Sequence, residues 1–297
     1  MSEQAPAVRL PDFIGVGPTR TGSTWLHGLL MQRACLPAGL KETWFFDRYY
    51  DKGFAWYGWH FSKSRPDRRI GEICPTYFVS AVARERIGRD LPRCKIICVF
   101  RDPVERAYSW YRMRHRLGGV RGSFEEVLAN SPDPELHQAN HYATRLSEWR
   151  TTMGAENVAA LFYDDLFADP QQFADSVTDF LELDSIAITP ELTRHLIRNE
   201  AARDCRNSTI ALAAHRFRRW LWARHRGELV NKLDRYGLWR FCFSSGPTFP
   251  PMEPDTAQAL RRSYLPEIEA LERFCNRDLS AWKNGHRVAA SLAASNA

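Results

Sequence analysis

The 297 residues are 44% hydrophobic and 26% charged, with a formal net charge of +6. That is an ordinary composition for a folded globular chain, able to bury the core of one large domain or two small ones. No stretch of about 18 apolar residues occurs, so no spanning helix is expected, and the positive balance favours anionic partners without choosing among nucleotides, sulfated or phosphorylated substrates, nucleic acid and membrane surfaces.

The seven cysteines are scattered, odd in number and never paired as C-x-x-C, which leaves zinc and disulfide readings weak. They read as small apolar residues in a reducing compartment. The N-terminus has no basic segment followed by an apolar run, so a cytoplasmic location is the expectation.

Residues 1–11 read as a loose polar arm. Phe13, Ile14 and Val16 then form a short β-type run that ends in glycine. From Ser23 the spacing changes: Trp25, Leu26, Leu29 and Leu30 recur at helical intervals. Strand, glycine loop and helix make the first half of a βαβ unit. The loop, GPTRTGST, nearly matches the phosphate-loop pattern GxxxxGK[ST], but Ser23 stands where the lysine should be. Its cation is Arg20, ahead of the second glycine.

A second unit follows at 95–116. KIICVF reads as a strand buried on both faces. Asp102, Pro103 and Glu105 then suit the N-cap, first and third positions of a helix. A third strand, 158–163, leads into one amphipathic helix over the following twenty residues, with Phe173, Val177, Phe180 and Leu181 on one side. The alternation predicts an α/β fold with a mostly parallel sheet covered by helices on both faces. Residues 201–226 mix seven arginines with Phe217, Trp220, Leu221 and Trp222. A last helix is expected from Asp255 to about Phe274, bending or restarting at Pro266. No linker forces a domain boundary, so residues 1–285 read as one domain and 286–297 as a disordered tail.

A glycine loop entering a helix presents N–H groups at the positive end of the helix dipole, which suits phosphate or sulfate. Thr21, Ser23 and Thr24 add hydroxyls, and Arg20 adds a charge. Arg101 ends the second apolar strand, and in open α/β sheets ligands lie outside the carboxyl ends of strands. Ser109 follows two turns into the next helix, so the pair could grip a second phosphate.

PTRTGSTWL followed far downstream by RDPVERAYSWY resembles the paired signature of sulfotransferases that use 3′-phosphoadenosine 5′-phosphosulfate (PAPS). The likeness is to the heparan-sulfate-type branch and its bacterial relatives. KETWFFD, GEICPTYF, FYDDLFADP and LERFCNRDLSAW fit the same order, so the match runs from about residue 12 to 283. The resemblance implies a P-loop-like fold and a single sulfotransferase domain. It implies a 5′-phosphosulfate held by Arg20, Thr21, Gly22, Ser23, Thr24 and Trp25, and a 3′-phosphate held by Arg101 and Ser109. It also implies Glu42 as the general base, Arg20 as the stabiliser of the leaving group, and no metal requirement. The acceptor is expected to be a hydroxyl on a carbohydrate, glycolipid or small alcohol.

Three departures bear on the acceptor and the donor grip. Ile73 stands where the branch has lysine, and Met113 where the N-sulfotransferases have histidine. FCFSSGPTFPP replaces a cysteine-bounded Lys-Gly-Arg loop. Two other functions compete: a Mg-nucleotide kinase with a phosphate loop, and a non-catalytic anion or membrane-surface binder using 201–226. Nucleic acid is not expected as a partner, and nothing fixes the oligomeric state. His60, among aromatics, reads as packed rather than as a second base.

Overall fold

Four parallel strands organise the chain: β1 (Phe13–Gly17), β2 (Gly71–Ile73), β3 (Lys95–Phe100) and β4 (Val158–Phe162), in the spatial order β2-β1-β3-β4. The computed structural model describes residues 9–38, 40–62, 64–190, 192, 203–224 and 226–285. The expected disordered tail, 286–297, lies outside them. The expected loose arm is described only from Arg9, whose guanidinium donates to the carbonyls of Arg65 (2.8 Å) and Arg68 (2.9 Å).

Alternation along the strands divides the interior into two cores. Ile14, Val16, Ile96, Cys98 and Phe100 point into one, and Phe13, Ile97 and Val99 into the other. The first core takes helices α2 (Pro103–Arg116), α3 (Tyr142–Met153) and α8 (Pro254–Cys275). The second takes α1 (Ser23–Leu30) and α4 (Pro170–Leu181). Each large side chain buried in these layers contributes about 1.5–3 kcal/mol. The α/β architecture with helices on both faces is as the sequence predicts. β2 lies on one side of β1 and β3 on the other, so the strand order reverses beside β1. Crevices at such reversals are where open parallel sheets bind ligands.

Three elements differ from expectation. The helix after β4 is two helices, Tyr163–Ala168 and α4. Asp169 breaks the first and caps the second by accepting from Gln172 N at 2.9 Å, with Pro170 in the first turn. α8 continues through Pro266, held by Leu260, Tyr264, Ile268 and Leu271 in the first core; that packing outweighs the single hydrogen bond a proline removes. β2 has no periodic signal because it is three residues long. Gly71 admits the Phe13 ring, which a Cβ would meet at 2.0 Å. A third, smaller core joins helices α5 (Ser208–Ala223), α6 (Gly227–Arg235) and α7 (Leu238–Ser244) through Leu221, Val230, Trp239 and Phe243.

The glycine loop leaves β1 at Gly17, with φ +109° and Pro75 directly against it. A Cβ there would sit 2.6 Å from the Pro75 carbonyl oxygen. Gly17→Ala is therefore expected to destabilise the chain by about 1–3 kcal/mol, read as a lower midpoint in urea unfolding.

Candidate active site

Arg20 sits at the crest of the loop with φ +70°, a left-handed conformation that a bulky residue seldom adopts. From there its Nε donates to Ser109 Oγ of α2 at 3.0 Å. Burial, followed by the nearby charges of Arg101, Arg112 and Arg116, lowers the Arg20 pKa to about 10. The tips of β1 and β3 thus bring Arg20, Arg101 and Ser109 into one site, with Arg101 and Ser109 only 7% and 1% exposed. The Arg101 guanidinium lies over the Tyr163 ring at 4.8 Å, and its carbonyl accepts from Tyr142 Oη at 2.9 Å.

Arg112 and Arg116 have no place in the expected site. Both stand on the Ser109 face of α2, three and seven residues on, and that spacing is the signal that could have shown them. Arg116 also donates to the Phe243 carbonyl and to Ser244 Oγ, each at 3.2 Å. FCFSSGPTFPP is thereby fastened to the end of α2. Behind it His115 Nδ1 lies 3.0 Å from Asp204, and the Cys205 thiol donates to the His115 carbonyl.

The rest of the loop is braced from below. Fully buried Arg106 reaches the Thr19 carbonyl, the Asn140 side chain and the Leu136 carbonyl. Thr19 donates to Glu135 at 2.6 Å. Thr21 gives its hydroxyl to the Pro18 carbonyl at 2.7 Å, so what it can offer a ligand is its backbone N–H. Gly22 caps α1 at φ +94°, where a Cβ would press on Tyr163 at 3.0 Å. The Trp25 ring packs edge-on against Phe173 in the second core, again leaving the backbone for a ligand. The first-turn N–H groups of Ser23, Thr24 and Trp25 have no acceptor within the helix.

The lysine missing from the loop is supplied by another segment. Lys41 Nζ donates to Ser23 Oγ (3.1 Å) and Thr24 Oγ1 (3.3 Å) and lies 3.4 Å from Glu42 Oε1. A hydroxyl that accepts from an ammonium still has its own hydrogen to donate to an anion. Burial, then the Lys41 charge, pushes His27 down to about 4 and so keeps it neutral. Lys41 precedes Glu42 in sequence as an ordinary charged neighbour; only the fold shows that it spans the Glu42 carboxylate and the loop.

Glu72 fixes the segment that carries Glu42. One of its oxygens accepts from Thr43 N (2.7 Å) and Thr43 Oγ1 (2.5 Å), the other from Tyr57 Oη (2.7 Å). Burial raises its pKa to about 7, against the lowering effect of these hydrogen bonds. Phe45, Phe46 and Tyr57 beyond it are core, while Trp59 is half exposed. His60 is buried, its ring edge-on to Trp56 and Trp59.

A parallel α/β sheet with guanidiniums gathered at its strand reversal has the arrangement at which open sheets bind anionic ligands. The sulfotransferase domain family matches residues 10–219, and the chain belongs to that family. It is 30% identical over 213 residues to human bifunctional heparan sulfate N-deacetylase/N-sulfotransferase 2, covering 64% of this chain and 23% of that protein. The membrane-associated sulfotransferase kil1 of Dictyostelium discoideum is 31% identical over 134 residues, covering 42% of this chain and 28% of its own length. The chain thus spans about a quarter of the length of these curated relatives. A sulfotransferase of known structure from Alicyclobacillus acidocaldarius superposes with a TM-score of 0.67 at 21% identity, covering 93% of this chain and 100% of that one; this is a likeness of fold.

Between the ordinary glutamate value of 4.5 and about 7, the folded chain keeps a proton on Glu72 that the unfolded chain has lost. Its contribution to stability is therefore full below about 4.5, falls as pH rises from there to about 7, and is gone above that. Glu72→Gln keeps an oxygen for Thr43 and removes that proton. The expected result is a flatter dependence of Tm on pH between about 4.5 and 7 than in the wild type, by the equivalent of about 1–3 kcal/mol.

Proposed function

We propose that the chain transfers a sulfuryl group from PAPS to an acceptor hydroxyl. The observation that carries this reading is the convergence of Arg20, Arg101, Arg112 and Arg116 beside the glycine loop. Like charges gathered in a largely half-buried place cost free energy, and a polyanion spanning both strand tips offsets that cost. The residues suit the donor: one anionic end fits the loop and the start of α1, the other fits Arg101 and the Ser109 face of α2. PAPS, when bound, supplies the transferable sulfuryl group.

Each residue then has a defined task. Glu42, at the edge of the crevice, takes the proton from the acceptor hydroxyl. Arg20 and Lys41 meet the negative charge that gathers on the leaving side. Arginine keeps its proton at any working pH, so Arg20 acts by charge rather than as an acid. Ser109, bonded to Arg20, connects the two ends of the donor site. The named N-sulfotransferase relatives act on heparan sulfate, and a carbohydrate acceptor is consistent with the kinship. A hydroxyl rather than an amine is favoured because Ile73 is buried in the second core and Met113 offers no base.

Incubation with sulfur-labelled PAPS and a cell extract, followed by identification of the labelled product, tests the reading. Transfer to a hydroxyl-bearing product supports it, and no transfer to any acceptor overturns it. Glu42→Gln is expected to bind adenosine 3′,5′-bisphosphate within a few-fold of the wild type and to lose turnover by about 100-fold or more. Unchanged turnover would remove Glu42 as the base. Lys41→Met is expected to weaken adenosine 3′,5′-bisphosphate by about tenfold and adenosine 3′-monophosphate hardly at all, as measured by calorimetry.

A further inference from the structure

The positive charge of this chain is concentrated in one place. Residues 203–244 hold ten Lys/Arg and three Asp/Glu, a net +7 against +6 for all 297 residues. Everything outside this segment is close to neutral. The same segment forms α5, α6 and α7 around their own small core.

Its outer surface is unusually apolar as well as basic. On α5, Phe217 is 46% and Trp220 52% exposed, with their rings stacked at 6.0 Å. The Arg224 guanidinium lies over Trp220 at 5.3 Å. On α7, Phe241 is 62% exposed, and Tyr236 just before it is 78% exposed. Arg216, Arg219, Arg235 and Arg240 are exposed among them. A solvated helix face needs its charges but gains nothing from aromatic rings held in water. Basic residues interleaved with exposed Trp, Phe and Tyr are the composition of a surface that rests in a lipid headgroup layer.

We propose that α5–α7 form a docking surface for an anionic lipid bilayer. The arginines meet the headgroup phosphates, and Phe217, Trp220 and Phe241 enter the acyl boundary. Two alternatives fit less well. A second copy of this chain would oppose two surfaces of +7, which repel. An anionic polysaccharide would satisfy the arginines but offers no apolar phase to the rings. The surface also adjoins the acceptor side of the crevice: the Arg219 guanidinium lies 5.9 Å from the ring of Trp44, two residues after Glu42. No helix among the described residues is long and apolar enough to cross a membrane, and the proposal concerns contact at the surface. It does not depend on the sulfotransferase reading, because binding is measured without donor or acceptor.

The test is co-sedimentation of the full chain with vesicles of phosphatidylcholine containing phosphatidylglycerol, and with phosphatidylcholine alone. The expected result is binding to the anionic vesicles only, weakened by added salt. The triple variant Phe217→Ser, Trp220→Ser, Phe241→Ser is expected to bind about tenfold or more weakly with an unchanged unfolding midpoint. Should that variant fail to fold, Trp220→Phe serves instead. The wild-type emission should shift to the blue on anionic vesicles and the variant's by less; equal shifts would overturn the proposal. It is also overturned by no binding to anionic vesicles, or by undiminished binding of the folded triple variant. Retention on heparin without vesicle binding, or a wild-type dimer that the triple variant loses, likewise overturns it.

Discussion

Mutual repulsion among guanidiniums, one buried and three half-buried, is the constraint around which the crevice is built. Arg20, Arg101, Arg112 and Arg116 are close enough for the last three to lower the proton affinity of the first. A fold keeps like charges together in a partly dry place only when its scaffold is rigid and an anion relieves the repulsion. The scaffold is visible here. β1 and β3 are adjacent, paired Phe13 to Lys95 and Ile14 to Ile96, so the segments that follow them emerge side by side. Arg106, fully buried, ties the underside of the loop to Asn140 and Leu136 and so fixes its height above the sheet.

Cationic and acidic halves of the site meet at Lys41. Its ammonium touches two loop hydroxyls on one side and the Glu42 carboxylate on the other. Glu72 secures the neighbouring backbone through Thr43, so the position of Glu42 is set by a buried carboxyl rather than by a surface loop alone. This links the glycine loop to the placement of the proposed base through three side chains. It also explains how a loop lacking the usual lysine can still present positive charge at the start of α1.

The strands and first helices were legible because their signals are strong and local. KIICVF is continuous and apolar, and Asp102 with Pro103 marks the start of α2, where the carboxylate does accept from Val104 and Glu105. Arg20, Arg101 and Ser109 could be proposed together because each follows a strand in a strand-helix unit. β2 was not legible, being only three residues long. The division of the helix at Asp169 was hidden by an apolar stripe that continues across the break. Lys41 and Glu72 escaped for a different reason: their roles depend on contacts across 15 to 29 residues of chain, which no local pattern encodes. Arg112 and Arg116 were within reach, since they share the Ser109 face, but a run of arginines on a helix ordinarily means a solvated surface.

The central claim is that one nucleotide carrying charge at both ends fills the crevice between the β1 and β3 tips. Metal-free calorimetry tests it directly, with adenosine 3′,5′-bisphosphate compared against adenosine 5′-monophosphate, adenosine 3′-monophosphate and ATP with magnesium. The account predicts that the bisphosphate binds in EDTA and exceeds either monophosphate by about tenfold or more. Equal affinity for one monophosphate, or a preference for magnesium ATP, would contradict it.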